Sequence, residues 1–352
     1  VIIKMIHFLG ISIDPESRIP KYKQIYDAVV NNIALGKFQE GGKLPSINEL
    51  SEQLLLSRDT VEKAYGQLKS KNIIESVKGK GYYLCAATGH SKKRVFFMVN
   101  KASSYKMIIY NALVSSLGSA AVVDLLIYHC EELLFIDALE KVLGKYDYYV
   151  IMPHFKDAQL HHQNASIKVL QTLEKIPKKQ LIIMDNHDLA LEGAFGAIYQ
   201  NFETDLFEAL EEALEKLKKY DQLILVYPEK SIFPYPKGIY KGFQKFCSHH
   251  HFKFEVLDTL YEDMEFESKD VYVLIEEADL VNLMQQVKSR NLQLGQDLGV
   301  ISYNETPLKE LLGINVISTR FRAMGETAAY MILKDRLEKT NNVFEYIERN
   351  SL

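Results

Sequence analysis

The chain has 352 residues, enough for two or three domains, and with 47% apolar and 25% charged residues it has the composition of an ordinary globular protein. No apolar run approaches the roughly 18 residues of a membrane-spanning helix, which argues against a membrane partner. Three unclustered cysteines, Cys85, Cys130 and Cys247, fit a reducing cytoplasm better than a disulfide scaffold or a zinc site. The opening stretch, residues 1–13, has some signal-peptide character. Its apolar part is short and no small-residue cleavage site follows, so a leading β-arm or a displaced start is expected. Next comes a helix with Tyr22, Ile25, Tyr26, Val29 and Ile33 on one face, ended by Gly36.

Ser46-Ile47-Asn48-Glu49 fits a capping box, in which the Ser46 hydroxyl and the Glu49 carboxylate satisfy each other's backbone amides. The helix it starts carries Leu50 and Leu54 inward. Ser57 caps a second helix, whose Val61, Ala64, Tyr65 and Leu68 form one apolar stripe. Its other face shows Arg58, Asp59, Glu62, Lys63 and Gly66, and Lys71-Asn72 stop it. Residues 73–77 and 81–84 read as strands joined by Lys78-Gly79-Lys80-Gly81, where the glycines supply the positive φ of a tight turn and two lysines stand at its tip. This is the layout of a winged helix-turn-helix.

Charge agrees with a DNA-reading role for this part. Residues 1–90 hold 12 Lys and Arg against 9 Asp and Glu, while the remainder holds 30 against 37. Lys63, Lys69, Lys71, Lys78 and Lys80 gather on the second helix and the turn, where a phosphate backbone would be met.

Four blocks carry a family resemblance: Pro20-Lys21-Tyr22-Lys23-Gln24-Ile25, Gly42-Lys43-Leu44-Pro45-Ser46, Ser57-Arg58-Asp59-Thr60-Val61 and Gly79-Lys80-Gly81. In this order they resemble the signatures of GntR-type transcriptional regulators. The resemblance implies that the helix opening at Ser57 enters the major groove and that the wing lies on the minor groove or backbone. Ser46, Asn48, Ser57, Arg58, Asp59, Thr60, Glu62, Lys63, Lys78, Gly79 and Lys80 are the DNA-contact candidates. The family often has Arg where Asn48 stands and a basic residue where Glu62 stands, so the base preference of other members does not transfer. Asn pairs best with adenine, and an acid can accept from cytosine N4. The plainer alternatives are a solvated Glu62 and an Arg58–Glu62 surface pair at i, i+4.

Residues 85–93 are small, polar and aperiodic, and read as a linker after a 1–84 domain. Beyond them short apolar strands alternate with amphipathic helices, the pattern of parallel sheets covered on both faces. Strands are expected over 94–99, 122–128, 148–152, 180–185, 222–227, 252–257, 270–275, 298–303 and 315–318. Helices are expected over 105–117, 131–143, 157–176, 204–219, 236–250, 278–290 and 324–337. Two such series suggest two lobes, about 94–199 with 321–342 and 200–318 with 343–352. The chain would then cross between them near 199–201, 318–321 and 342–344.

Residues 298–305 (LGVISYNE), 316–321 (VISTRF) and 324–328 (MGETA) look like the C-terminal signature of LacI-type repressor cores. The fold class expected is therefore α/β: an N-terminal winged helix-turn-helix plus a two-lobed, periplasmic-binding-protein-like sensor domain. This is the hybrid architecture of arabinose repressors. The resemblance implies an effector cleft at the strand ends, which open α/β sheets favour in any case. Asn304 stands where the family has an effector-contacting Asp, and Thr319 and Phe321 stand at a crossover. Ser103, Ser104 and Tyr105 follow the first strand, His154 and Asp185 end later strands, and Glu276 precedes a helix. A sugar-gripping Arg is replaced by Ile239, for which Lys237 is a substitute, and Tyr235 is a stacking candidate. Polyols need paired donors and acceptors with an aromatic face, and these residues supply both. An acid after a strand also caps helices in the ordinary way.

Enzyme signatures are missing: no Walker loop, no Gly-x-Ser-x-Gly and no Gly-x-Gly-x-x-Gly after a strand. His161-His162 and His249-His250-His251 lack metal-ligand spacing with partners, so no metal and no cofactor is expected. GntR-type heads are also fused to aminotransferase-like cores holding pyridoxal phosphate, but this C-terminal part is too short for one. The expectation is a cytoplasmic homodimeric regulator that binds double-stranded operator DNA and a monosaccharide or phosphorylated sugar. A response to a non-sugar metabolite, and a C-terminal domain that only dimerises, are the alternatives.

Overall fold

Three helices, a two-stranded hairpin and a three-stranded sheet build the N-terminal region of the computed structural model, which describes residues 6–34, 37–38, 41–71, 73–85, 92–186, 189–262, 264–267 and 269–352. Gly36, Asn72 and residues 86–91 of the expected linker lie outside them. The chain divides into two units, Val1–Ser91 and Lys92–Leu352.

In the first unit, Ile6–Phe8 pairs antiparallel with Ile11–Ile13 ahead of the helix Lys21–Ala34. The Ser46–Glu49 capping box forms: the Glu49 amide donates to Ser46 Oγ at 3.1 Å, and the Ser46 amide to Glu49 Oε2 at 3.4 Å. Helix Ile47–Gln53 then turns at Leu55, whose φ of 52° reverses the chain into the Ser57-capped helix Arg58–Ser70. The wing strands Ile74–Val77 and Gly81–Leu84 pair antiparallel, with Lys43–Leu44 on the far side of Gly81–Leu84. Leu50, Leu54, Val61, Ala64, Tyr65 and Leu68 are fully buried together with Ile25 and Val29 of the first helix. The buried Tyr65 hydroxyl donates to the Pro45 carbonyl at 2.9 Å, which locks the helix Arg58–Ser70 to the loop before the helix Ile47–Gln53.

The second unit has two lobes, each a six-stranded sheet. Lobe 1 is wholly parallel, in the order Lys339–Asn341, Gly196–Gln200, Leu181–Asn186, Tyr148–Ile151, Lys93–Val99 and Ala121–Ile127. In lobe 2 the strands Lys253–Leu257, Gln222–Val226, Asp270–Leu274, Gly299–Tyr303 and Asn315–Thr319 are parallel, and Phe344–Ile347 closes the edge antiparallel. Helices cover both faces of each sheet, leaving separate cores on the two sides. The chain passes between lobes after Gln200, Thr319 and Asn341. These crossings are knitted together: Asn342 Nδ2 donates to Thr319 Oγ1 at 2.6 Å, Thr319 Oγ1 to the Val343 carbonyl at 3.1 Å, and the Asn342 amide to the Tyr199 carbonyl at 2.8 Å.

Three expectations need correction. The stretch 157–176 is not one helix. The Asp157 carboxylate accepts from the amides of Gln159 and His161, at 2.8 and 2.9 Å, and this side-chain turn folds Phe155–Lys156 against His162–Gln163 as a hairpin. The helix starts only at Ile167, capped by Ser166. The 204–219 helix begins earlier, because Asn201 caps Phe202–Glu212, and it breaks at Ala213 before Leu214–Leu217. Strands Gly196–Gln200, Lys339–Asn341 and Phe344–Ile347 and the short helix Pro307–Leu311 were not anticipated.

Helix Phe321–Lys334 lies so close to Ser104–Leu117 that a Cβ at Gly325 would sit 2.3 Å from the Ile109 carbonyl oxygen and 2.9 Å from Ala112 Cβ. Gly325→Ala should therefore lower stability by about 1–3 kcal/mol, as overpacking does. Urea denaturation checks this: an unchanged midpoint would mean that the helices part without cost.

Candidate functional site

The first unit carries the expected DNA-contact residues on polar, solvent-facing elements. Arg58, Asp59, Glu62 and Lys63 are exposed on the helix that Ser57 caps, and Asn48 is exposed on the helix before it. Ser57 and Thr60 are tied to each other, Oγ to Oγ1 at 2.8 Å, and cap the helix start. Ser46 is held in its own capping box. Lys63 Nζ lies 4.2 Å from the centre of the Tyr22 ring, a cation–π contact that steers this ammonium. Arg58 makes no ion pair among the described residues, so the surface pair with Glu62 does not form. The wing tip Lys78-Gly79-Lys80 is exposed, with φ of 76° at Gly79.

The second unit holds an interlobe cleft of two chambers that share His154, Gln200, Phe202 and Pro236. Of the expected residues, Tyr105, His154, Asp185, Tyr235, Asn304 and Phe321 line the inner chamber. Lys237 lines the outer one, which also takes in His154. Ser103, Ser104, Glu276 and Thr319 line neither. Ser103 caps the helix Ser104–Leu117, and Thr319 ties the crossings. Glu276 stands at the start of the helix Glu277–Ser289, and burial, then Asp279 nearby, pushes its pKa up. Ile239, where the resemblance leads to a sugar-gripping arginine, is a buried apolar wall of the inner chamber.

Asp185 is the electrostatic centre. Its Oδ2 lies 3.1 Å from His154 Nε2 and 3.5 Å from Lys106 Nζ, and Gln200 Nε2 donates to its Oδ1. Burial alone would raise its pKa. The Lys106 ammonium, and after it His154, reverses this and holds the carboxyl well below its usual range. Burial outweighs Asp185 at His154 and lowers that imidazole's pKa. His162 falls to about 3, from burial and then from His154. Both rings are thus neutral near pH 7. Neutral His154 must carry its proton on Nε2 to donate to the carboxylate, so its Nδ1 accepts from His162 Nε2 at 3.0 Å. A chain of contacts therefore runs from Lys106 through Asp185 and His154 to the hairpin at His162. That hairpin touches lobe 2, where the Ser231 amide donates to the Leu160 carbonyl at 3.1 Å.

Asp185 and Asn304 both have left-handed backbones, with φ of 73° and 65°, a conformation that Asp and Asn tolerate better than most residues. The buried Lys309 fixes the second of these turns, donating from Nζ to the Tyr303 and Asn304 carbonyls at 2.7 Å each. Tyr105 and Phe321 pack together with ring centres 4.9 Å apart and form an aromatic wall.

The sequence reading missed Lys101, Lys106, Gln200 and Tyr303 in the inner chamber. Lys101 and Lys106 flank the Ser103-Ser104-Tyr105 loop, but adjacency alone does not tell a lysine turned into a cleft from a solvated one. The histidine pair at 249–250 gains a partner that spacing could not reveal: His250 Nε2 bonds to the Glu211 carboxylate, and ligand atoms of Glu211, His249 and His250 lie within 4.8 Å of one another.

Fold and cleft together define a winged helix-turn-helix joined to a two-lobed α/β binding core. Residues 21–84 match the model of bacterial regulatory proteins of the gntR family. The transcriptional repressor YtrA of Bacillus subtilis is 39% identical over 74 residues, 21% of this chain and 57% of that protein. The arabinose metabolism transcriptional repressor of Geobacillus stearothermophilus is 30% identical over 69 residues, 20% of this chain and 19% of that protein. These matches span the first unit and only part of each relative. Over 74% of this chain and 99% of the other, the structure is similar to a LacI family regulator from Lactobacillus casei with bound glucose, with a TM-score of 0.57 and 11% identity. The first unit thus carries a domain similar to that of the gntR family, and the second has the LacI-type fold. No helix among the described residues is long and apolar enough to cross a membrane.

Proposed function

We propose that this chain is a non-enzymatic transcriptional regulator, a repressor of carbohydrate-utilisation genes. It binds operator DNA as a homodimer, with affinity set by a small polyol in the interlobe cleft. The observation that carries the reading is the pairing of two surfaces in one chain. One is an exposed Arg58–Lys63 helix face beside a lysine-tipped wing. The other is a cleft at strand ends, with aromatic walls and fixed polar groups, in a unit whose lobes are joined by three adjacent crossings. Similarity to an arabinose repressor and to a glucose-bound LacI-type regulator supports a sugar as the effector class. In this reading Arg58, Asp59, Glu62 and Asn48 meet bases, and Lys63, Lys78 and Lys80 meet phosphates. Asn304, Asp185 and His154 orient hydroxyls, and Tyr105, Tyr235 and Phe321 pack on the sugar face. Lobe closure about the crossings changes the spacing of the two heads in the dimer.

Linkage makes the coupling reciprocal: effector changes operator affinity, and operator changes effector affinity, by one factor, typically about 5- to 150-fold. Titration calorimetry of monosaccharides and their phosphates, with and without operator, tests this. Equal effector affinities in both titrations would reject the sensor reading. Asn304→Ala should weaken effector by about 1–3 kcal/mol through an unpaired hydroxyl and leave effector-free operator binding unchanged.

A further inference from the structure

The charges lining the cleft do not balance, and the imbalance is specific. Across both chambers the ammonium groups are Lys101, Lys106, Lys237 and Lys241, and the carboxylates are Asp185 and Glu203. Both carboxylates are already engaged: Asp185 by Lys106, His154 and Gln200, and Glu203 by Lys245 at 3.8 Å, from outside the chambers. Among the described residues, Lys101, Lys237 and Lys241 have neither an ion pair nor a side-chain hydrogen bond. Lys101 is the most confined of the three. Its Nζ is 4.4 Å from the centre of the Tyr235 ring and 5.8 Å from that of Phe233, contacts with aromatic faces only. Burial, and then the like charge of Lys106, pushes its pKa down to about 8, although Cys130, Glu276 and Asp185 pull the other way from a distance.

A desolvated ammonium is costly to hold in a cavity without an anion, and a ring face repays only part of that cost. A neutral polyol would leave it so. Resting on the sensor reading above, we infer that the effector is an anionic polyol, a sugar carrying a phosphate or carboxylate group, and that Lys101 pairs with that group. The polyol part then faces Asn304, Asp185 and the Tyr105–Phe321 wall. Lys237 and Lys241 at the outer chamber raise the local potential for the incoming anion. Lys101 belongs to no sequence motif, and only the fold shows that Glu276 and Asp185 act on it from a distance, without an ion pair or hydrogen bond among the described residues.

The test compares glucose, glucose 6-phosphate, glucuronate and inorganic phosphate at matched ionic strength, read as melting shifts and by calorimetry, on wild type, Lys101→Met and Lys101→Arg. At least one of the anions should stabilise the wild type, while glucose should not. The phosphate and uronate arms separate the two anion classes. Lys101→Met should fold, since it removes a half-buried charge that has no ion pair among the described residues, and should bind the anion about 10-fold or more weaker, as loss of a hydrogen bond to a charged group implies. Lys101→Arg should keep most of the affinity. Near pH 8, anion binding should draw a proton onto Lys101, seen as a buffer-dependent binding enthalpy that Lys101→Met lacks. The inference is overturned if glucose stabilises as well as its phosphate, if Lys101→Met responds like wild type, or if none of the anions stabilises the wild type. Operator titrations run alongside separate the two readings. An anion that binds through Lys101 yet leaves operator affinity unchanged rejects the sensor role and leaves this assignment standing.

Discussion

Arg58→Ala should weaken sequence-specific operator binding by about one to four orders of magnitude while leaving the fold intact. Arg58 is exposed in the first turn of the Ser57-capped helix and makes no ion pair among the described residues, so removing its side chain costs the unbound protein little. On DNA, an arginine at a base edge contributes about 1–3 kcal/mol of discrimination. A two-headed dimer loses this twice, about 2–6 kcal/mol, or roughly 30- to 10⁴-fold in affinity. Lys80→Ala is the matched contrast. It removes a wing-tip charge exposed beside Gly79, weakens binding to all sequences alike, and lowers the salt slope by about 1. Fluorescence anisotropy with operator and scrambled duplexes over a salt series separates the two outcomes. Arg58→Ala with wild-type discrimination would move the base-reading surface elsewhere on the domain.

The reading head was legible because its signals are local. The Ser46–Glu49 box, the Ser57 cap, the Val61–Leu68 stripe and the glycines of the wing each act over a few residues, and each element forms where those residues place it. The α/β character of the second unit was legible for the same reason: Val95–Val99 or Val271–Leu274 can only be buried strands. What the sequence hid was decided by contacts far apart in the chain or by competing turns. Asp157 could have capped a helix, but its carboxylate captured two amides and made a hairpin. Gly196–Gln200 is short and carries a tyrosine and a glutamine, yet its strand partners, Leu181–Asn186 and Lys339–Asn341, bury it. In the cleft, the residues at strand ends could be named from order alone. Lys101 and Lys106 could not, because a lysine beside a helix start reads as solvated until burial is known. The sequence offers Asp185 as an acceptor for a ligand hydroxyl, but Lys106, His154 and Gln200 already hold it.

That engagement makes the loss of Asp185 costly. Asp185→Ala leaves the Lys106 ammonium, with a side chain only 3% exposed, facing Met152 and no carboxylate, and takes the acceptor from His154 Nε2. Removing one partner of a buried pair typically costs about 3–5 kcal/mol, and a loss of that size is expected in the denaturant midpoint at pH 7. The double variant Asp185→Ala/Lys106→Met removes the stranded charge and should recover most of the loss, which a purely steric role for Asp185 would not allow. The pH profile gives a second reading. The Asp185 carboxyl is held below its usual range, so its stabilisation is present above the unfolded-state value near 4 and is lost as pH falls through the folded value. His154 and His162 also have lowered values, so the unfolded chain takes up more protons below about pH 6.5 and wild-type stability declines from there downward. Wild type should lose stability in both acid ranges, whereas Asp185→Ala should lack the portion below about pH 4. A single variant as stable as wild type at pH 7 would show that water reaches Lys106 freely, and the cleft floor would then be wet rather than built around a buried pair.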